Sequence, residues 1–182
     1  GYTGSVVSMS NLVSNAGVVA TDVTGVGTAR KGLAACEYGG DKGIFAYGND
    51  PSNTAVSNLV SNVGVVATDV TGVGTTRASL AACGYGYDKG IFGYGYSGGY
   101  VGMTNLVSNV GVIATDVTGV GTGRAYLAAC EYGGDKGIFG YGNVGGGVAH
   151  STTNLVSNAG VVATDTTGVG TARGNLASCS FN

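Results

Sequence analysis

Residues 58–77 read NLVSNVGVVATDVTGVGTTR. Nearly the same words begin at Asn11 (NLVSNAGVVATDVTGVGTAR), at Asn105 (NLVSNVGVIATDVTGVGTGR) and at Asn154 (NLVSNAGVVATDTTGVGTAR). The starts lie 47, 47 and 49 residues apart, and Arg30, Arg77, Arg124 and Arg173 keep that spacing, as do Cys36, Cys83, Cys130 and Cys179. A second phrase follows each of the first three arginines: LAACEYGGDKGIFAYG, LAACGYGYDKGIFGYG and LAACEYGGDKGIFGYG. Evenly repeated wording points to architecture before chemistry, and a period of about 40–50 residues signals a propeller or a solenoid.

Each unit reads as strands. GVVAT and GIFGYG are short apolar runs bounded by Gly and Asp, LAAC runs into a Gly-rich turn, and NLVSN alternates apolar and polar residues. No stretch sustains a 3.6-residue period. Glycine every few residues would weaken a helix by about 1 kcal/mol each. Four short strands per unit and four units of about 47 residues make an all-β, four-bladed β-propeller the expected fold. The repeats fall at about 1–47, 48–94, 95–141 and 142–182 of a single repeat domain spanning 1–182. A β-solenoid with two coils per unit is the alternative, although no polar cap sequence stands at either end. Gly1-Tyr2 aligns with the GYG that closes the GIFGYG strand, and RGNLASCSFN with the strand after each Arg, as a ring closed by both ends would require. The fourth unit carries no DKGIF segment.

Composition narrows the function. The 182 residues include 37 Gly, one Pro and no Trp, with 10 % charged residues and a net charge of −2. No basic surplus exists for neutralising phosphates, so nucleic acid is not an expected partner. No apolar run approaches the roughly 20 residues of a membrane-spanning helix, so membrane insertion is not expected. No targeting segment is visible.

Read from each Arg, the unit resembles a kelch motif: an Arg, a small apolar strand, a Gly turn, a hydrophobic strand ending in Gly, a variable loop and two further strands. RKGLAACEYGGDKGIFAYG, beginning at Arg30, carries this best. The second strand ends in Tyr-Gly where kelch units usually carry a Gly pair, and the usual Trp of the last strand is absent. The wording TNLVSN, GVVATDVTGVGTAR and YGGDKGIFGYG also resembles repeat arrays in predicted virion proteins of aquatic bacteriophages. That resemblance implies a structural or adhesive role on a virion or cell exterior, and it brings no catalytic residues with it.

The four cysteines occupy equivalent positions, which rotation about a ring axis would hold apart beyond the ~5.5 Å Cα separation of a disulfide. Were LAAC the innermost strand, four thiols would ring the axis. The C-x-x-C spacing of structural zinc sites is missing, so the thiols read as small buried side chains and no metal is expected. Asp22, Asp69, Asp116 and Asp165 precede a Gly-rich turn that Arg30, Arg77, Arg124 and Arg173 follow. Repetition in every unit makes them structural: a turn-capping Asp, and an Arg tying neighbours through carboxylate or carbonyl contacts. The pairs Asp41-Lys42, Asp88-Lys89 and Asp135-Lys136 read as solvated hairpin tips lacking the ligand-rich loop of a Ca²⁺ site. GVGT is followed by no Lys-Ser/Thr pair and no helix, so no nucleotide cofactor is expected. His150 is the sole histidine and supports no catalytic arrangement. An oxidoreductase of galactose-oxidase type would need ligands the chain does not offer.

The loops after YG vary freely: TGSVVSMS near the start, then NDPSNTAVS, YSGGYVGMT and NVGGGVAHSTT. Superposed units would place them on one side, where divergent loops on a constant scaffold carry recognition. Tyr96 and Tyr100, with Tyr47, Tyr94, Tyr141 and His150 beside these loops, are the candidate ligand contacts. The reading is a non-enzymatic structural or adhesive module whose partners are other protein subunits or cell-surface glycans. A lectin-like glycan binder is the alternative. Low charge and Val-rich strands also leave room for a homo-oligomer formed through open edges.

Overall fold

The computed structural model describes residues 1–180. Phe181 and Asn182, the end of the fourth repeat, lie outside the described residues. The chain is all-β. Three copies of one antiparallel sheet follow each other: β1 (Ala34–Tyr38), β2 (Lys42–Ala46) and β3 (Ser57–Val60); β4 (Ala81–Tyr85), β5 (Lys89–Gly93) and β6 (Thr104–Val107); then β7 (Ala128–Tyr132), β8 (Lys136–Gly140) and β11 (Thr153–Val156). In each, the GIF strand lies in the middle. A two-stranded ribbon of β9 (Asn143–Val144) and β10 (Val148–Ala149) rises from the longest loop. No helix among the described residues is long and apolar enough to cross a membrane.

The LAAC, GIF and NLV strands form as the sequence reading expects. The GVVAT segment does not form a continuous strand. It touches its neighbour at two separated bridges, Ser57↔Val70 and Val60↔Val66. Four residues of β3 thus face five, 66–70, so one residue is extra: the geometry of a β-bulge. The Asn58 side chain fills the gap, donating from Nδ2 to Ala67 O at 3.0 Å and to Asp69 Oδ1 at 2.8 Å. Asn11, Asn105 and Asn154 do the same in their own units.

The core lies between sheets. One cluster joins Tyr38, Ile44, Ala46 and Tyr47 of the first unit to Leu80, Phe92, Val107 and Ile113 of the second. The other joins Cys83, Tyr85, Ile91 and Tyr94 to Leu127, Phe139 and Val156. A three-stranded sheet alone could not bury these side chains, so each unit depends on the next for its hydrophobic stabilisation. That dependence is why the sequence repeats.

Main-chain bonds staple consecutive units at both ends of β1, β4 and β7. At one end Gly39 N donates to Asp88 O (2.7 Å) and Gly86 N to Asp135 O (2.8 Å). At the other, Ser79 N donates to Gly32 O (2.7 Å), Tyr126 N to Ser79 O (2.9 Å) and Asn175 N to Tyr126 O (2.9 Å). Gly32, Ser79, Tyr126 and Asn175 all hold φ between 56° and 63°, a conformation that disfavours side chains other than Gly and Asn. The bonds that continue from unit to unit hold it there.

Where β1, β4 and β7 lie side by side, Glu131 of β7 meets Glu37 of β1 over Gly84 of β4. The three are equivalent positions in successive units, so two carboxyls meet because the unit between them has no side chain. Burial first, and the Glu37 carboxyl second, raise the Glu131 pKa above its usual value. A raised carboxyl pKa stabilises the fold below the unfolded value, and that contribution disappears as pH rises through the folded one. Asp69, Asp116 and Asp165 have the opposite sign: burial alone would raise them, but bonds from Thr and Asn side chains hold them below the usual carboxylate range. Their contribution is present above the unfolded pKa and is lost as pH falls through the folded one. Glu131→Gln should therefore raise Tm at pH 7 by about 1–2 °C, a small effect because solvent screens the pair. It should leave Tm at pH 4 unchanged. A melting series from pH 3 to pH 8 checks this, and equal shifts at both pH values would refute it.

Candidate binding face

The repeated polar residues form a network around a buried Arg in each of the three sheets. In the first, Arg30 donates from Nε to Tyr47 O (2.7 Å), from Nη1 to Thr28 O (3.0 Å) and from Nη2 to Asn58 Oδ1 (2.7 Å). Asn58 passes the chain to Asp69, whose carboxylate also accepts from Thr28 Oγ1 (2.6 Å) and Thr28 N (3.0 Å). Arg77, Asn105, Asp116 and Thr75 repeat this. So do Arg124, Asn154, Asp165 and Thr122, except that Arg124 Nε is buried without a partner among the described residues. The Arg–Asp approach is loose, at 4.0, 4.0 and 3.6 Å. Carbonyl and amide oxygens therefore carry each guanidinium more than the carboxylate does. Arg77 and Arg124 are wholly buried, and burial lowers the Arg77 pKa, with nearby Tyr47 and Asp116 opposing.

The cross-unit contact of Arg77, Arg124 and Arg173 is aromatic. Arg77 lies 4.1 Å from the Tyr47 ring centre, Arg124 4.4 Å from Tyr94, and Arg173 3.9 Å from Tyr141. The edges of the Tyr47 and Tyr94 rings meet Phe92 and Phe139 at 5.5 and 5.2 Å. This corrects the expected role of two residues. Tyr47 and Tyr94 are fully buried between the Arg and Phe of the following unit, so their rings present no surface to a ligand at the loops. Their hydroxyls donate to Val73 O and Val120 O, and burial pushes the Tyr94 pKa up to about 12. Tyr141 is half-buried, under exposed Arg173, and donates to Val169 O. Asp22 is exposed; among the described residues its side chain meets only Asn11 Nδ2, at 2.8 Å.

The hairpin tips are partly exposed and internally bonded. Lys42, Lys89 and Lys136 pair with the preceding Asp, and each Asp also accepts from an Asn: Asn62, Asn109 and Asn158. Asp135 is buried. The four cysteines are free thiols. Burial pushes the Cys83 pKa up to about 12 and that of Cys36 higher still. Among the described residues no group of three His, Cys, Asp or Glu side chains is placed to hold a metal ion.

The variable loops gather at the end of the sheets marked by Gly32, Ser79 and Tyr126. Each is pinned by a bridge to the segment after its Arg: Lys31↔Asn49, Ala78↔Tyr96 and Ala125↔Asn143. Between the first two loops lies an open depression of about 390 Å³ lined by Lys31, Asn49, Asn53, Ser79, Tyr96 and Tyr126. Tyr96 and Tyr126 are 42 % and 43 % exposed. Tyr100 meets Tyr96 edge-on at 5.5 Å, and Asn53 Nδ2 donates to Tyr96 O at 2.9 Å. His150 stands in the third loop, with Nδ1 2.9 Å from Thr152 Oγ1. Tyr96 and Tyr100 thus come together, while Tyr141 and His150 belong to the third loop. Lys31, Asn49, Asn53 and Tyr126 carry no repeat signal, and the sequence reading passes over them.

Stacked antiparallel sheets with a loop face at one end define an all-β repeat protein. No family model matches the chain, and no curated protein matches it. Among solved structures it is similar to that of YjhT, with a TM-score of 0.58, 16 % identity, 76 % of this chain covered and 45 % of that one. The chain spans under half the length of YjhT, and at that identity the likeness concerns the fold alone.

Proposed function

We propose that the chain is a non-enzymatic structural or adhesive module of a virion or cell exterior, built as a four-bladed, kelch-like propeller. One observation carries this reading. The Arg, Asn, Asp and Thr side chains repeated from unit to unit are engaged in networks that hold their own sheet together, and Arg77, Arg124 and Arg173 stack on a Tyr of the preceding unit, whereas the divergent loops lie at one end. A protein whose constant residues pack and whose variable residues face solvent presents shape or recognition, not chemistry. The all-antiparallel pairing supports blades over a coil-stacked solenoid. The meeting of Glu37 with Glu131 supports a tight ring in which the first and third units face each other.

The lectin-like reading draws on the Tyr96–Tyr126 depression. Exposed aromatic rings beside Asn amides suit a sugar, whose apolar face stacks while its hydroxyls bond. A glycan array, with solution mass and scattering, separates the readings. Under the structural reading the chain binds no glycan, forms stable protein assemblies and scatters as a compact particle. Glycan binding that disappears when 96–103 and 143–152 become Gly-Ser would replace it with the lectin. A rod-shaped profile would remove the ring.

A further inference from the structure

In each sheet the outer strand runs back from the loop end, with Ser57 of β3 opposite Ala46 and Val60 opposite Gly43. The turn after it, residues 61–65, therefore lies at the hairpin end, away from the variable loops. There Asn62 Nδ2 donates to Asp41 Oδ2 at 3.2 Å, and Asn109 and Asn158 bond Asp88 and Asp135 in the same way. Residues 14–18, 108–112 and 157–161 make the same turn. In all four, Val18, Val65, Val112 or Val161 donates from its N to the Oγ of the Ser four residues earlier, at 3.1 Å. The Gly before each Val holds φ between 74° and 80°.

These turns are internally bonded, yet what they display is apolar. The four valines are between 62 % and 66 % exposed, and Val63 and Val110, in the middle of two of the turns, are more exposed still. An apolar side chain exposed singly is ordinary, but the same one at the same place in every unit forms a repeated patch. Tyr87 adds an aromatic ring at the hairpin tip of the second unit, 74 % exposed. It holds φ 69°, where Gly40 and Gly134 hold 76° and 81° in the neighbouring units. A Tyr there carries strain that Gly avoids, and an exposed ring returns no burial to the fold. The charges at the tips are paired: Lys42, Lys89 and Lys136 lie 2.6, 2.8 and 2.8 Å from the carboxylate of the preceding Asp.

We propose that this hairpin end binds the same end of a second copy of the chain, as a two-fold dimer whose loop faces point in opposite directions. Patches repeated at one spacing are met alike only by a partner that repeats them at that spacing, and this chain is such a partner. The Asp–Lys pairs let two like ends meet without net charge on either tip. Six valines at roughly 100 Å² each, with the Tyr87 ring, approach the ~800 Å² per partner of a standard interface. Preformed turns lose little freedom on docking. The dimer rests on the structural reading above and gives it a consequence: two loop faces turned apart can bridge two surfaces.

Sedimentation velocity of the 182-residue chain over a concentration series tests this. The chain should pass reversibly from monomer to dimer, and raised salt should not dissociate the dimer, because the contact is apolar. Val65→Lys together with Val112→Lys should weaken the dimer about tenfold or more. So should Tyr87→Gly, which should leave the melting temperature of the dilute monomer unchanged or higher, a combination that a Tyr serving the fold alone would not give. Gly-Ser in place of 96–103 and 143–152 should leave the dimer intact. A monomer at every concentration, or a dimer indifferent to the Val and Tyr substitutions, would overturn the proposal. So would growth beyond the dimer, which a closed two-fold contact does not permit. A dimer lost with the loops would overturn it too, while leaving the structural reading in place. Loop-dependent glycan binding by a monomer would remove both.

Discussion

Arg77→Ala should destabilise the chain by about 3–5 kcal/mol, the usual cost of removing one partner from a buried charged network. The guanidinium is fully buried, and three oxygens depend on it: Tyr94 O, Thr75 O and Asn105 Oδ1. Each unpaired buried acceptor costs about 1–3 kcal/mol. The Tyr47 ring also loses the cation above it. Arg77→Lys should recover little, because a single ammonium cannot reach three acceptors lying in different directions. Arg173→Ala is the internal control. Arg173 is exposed, makes one hydrogen bond to Thr171 O, and stacks on Tyr141. Its loss should cost no more than about 1 kcal/mol. Urea denaturation of the three variants measures the difference. A cost for Arg77→Ala no larger than that for Arg173→Ala would show that the buried network contributes nothing beyond surface contacts.

The contrast between these arginines shows what the sequence could reveal. Identical spacing and identical neighbours announce that Arg30, Arg77, Arg124 and Arg173 do one job, but spacing carries no record of which of them has a complete set of partners. The same limit applies to Tyr47 and Tyr94. They stand beside the variable loops in sequence, yet a positive φ near 64° turns their rings into the interface. Their exact repetition was the available signal, because a residue kept in every unit while its loop drifts is held by packing. The GVVAT segment looks like a strand by composition, and only pairing register exposes the extra residue that Asn58 accommodates. Tyr126 was illegible for a different reason. Its equivalents are Gly32, Ser79 and Asn175, so no residue type marks a position defined by backbone conformation alone. The period and the LAAC, GIF and NLV strands, in contrast, follow directly from apolar runs and turn residues.

Gly137→Ala should cost about 2 kcal/mol or more, within the range for overfilling a packed interface. A Cβ there would lie 2.6 Å from Cys83 Sγ and 3.2 Å from Gly84 O of the preceding unit. Cys83 is itself buried, which leaves the thiol little room to turn aside. Gly90 meets Cys36 Sγ in the same way, with Glu37 O at 3.0 Å from the added carbon. Gly43 occupies the equivalent place in the first unit, but the nearest atom to its Cβ would be Val60 Cβ at 3.6 Å, an ordinary contact. Gly43→Ala should thus be neutral, or stabilising by about 0.5 kcal/mol through the lower entropy of the unfolded chain. Three glycines alike in sequence should split by context. Shortening the thiol supplies the second half of the test. In a Cys83→Ala background, Gly137→Ala should cost about 1 kcal/mol less, as expected for residues in direct contact. Equal losses at Gly43 and Gly137 would mean that these glycines serve the strand's own conformation. Unequal losses, relieved by Cys83→Ala, would mean that the thiol of one unit sets the residue its neighbour can carry, which gives the cysteines a packing role independent of disulfide or metal.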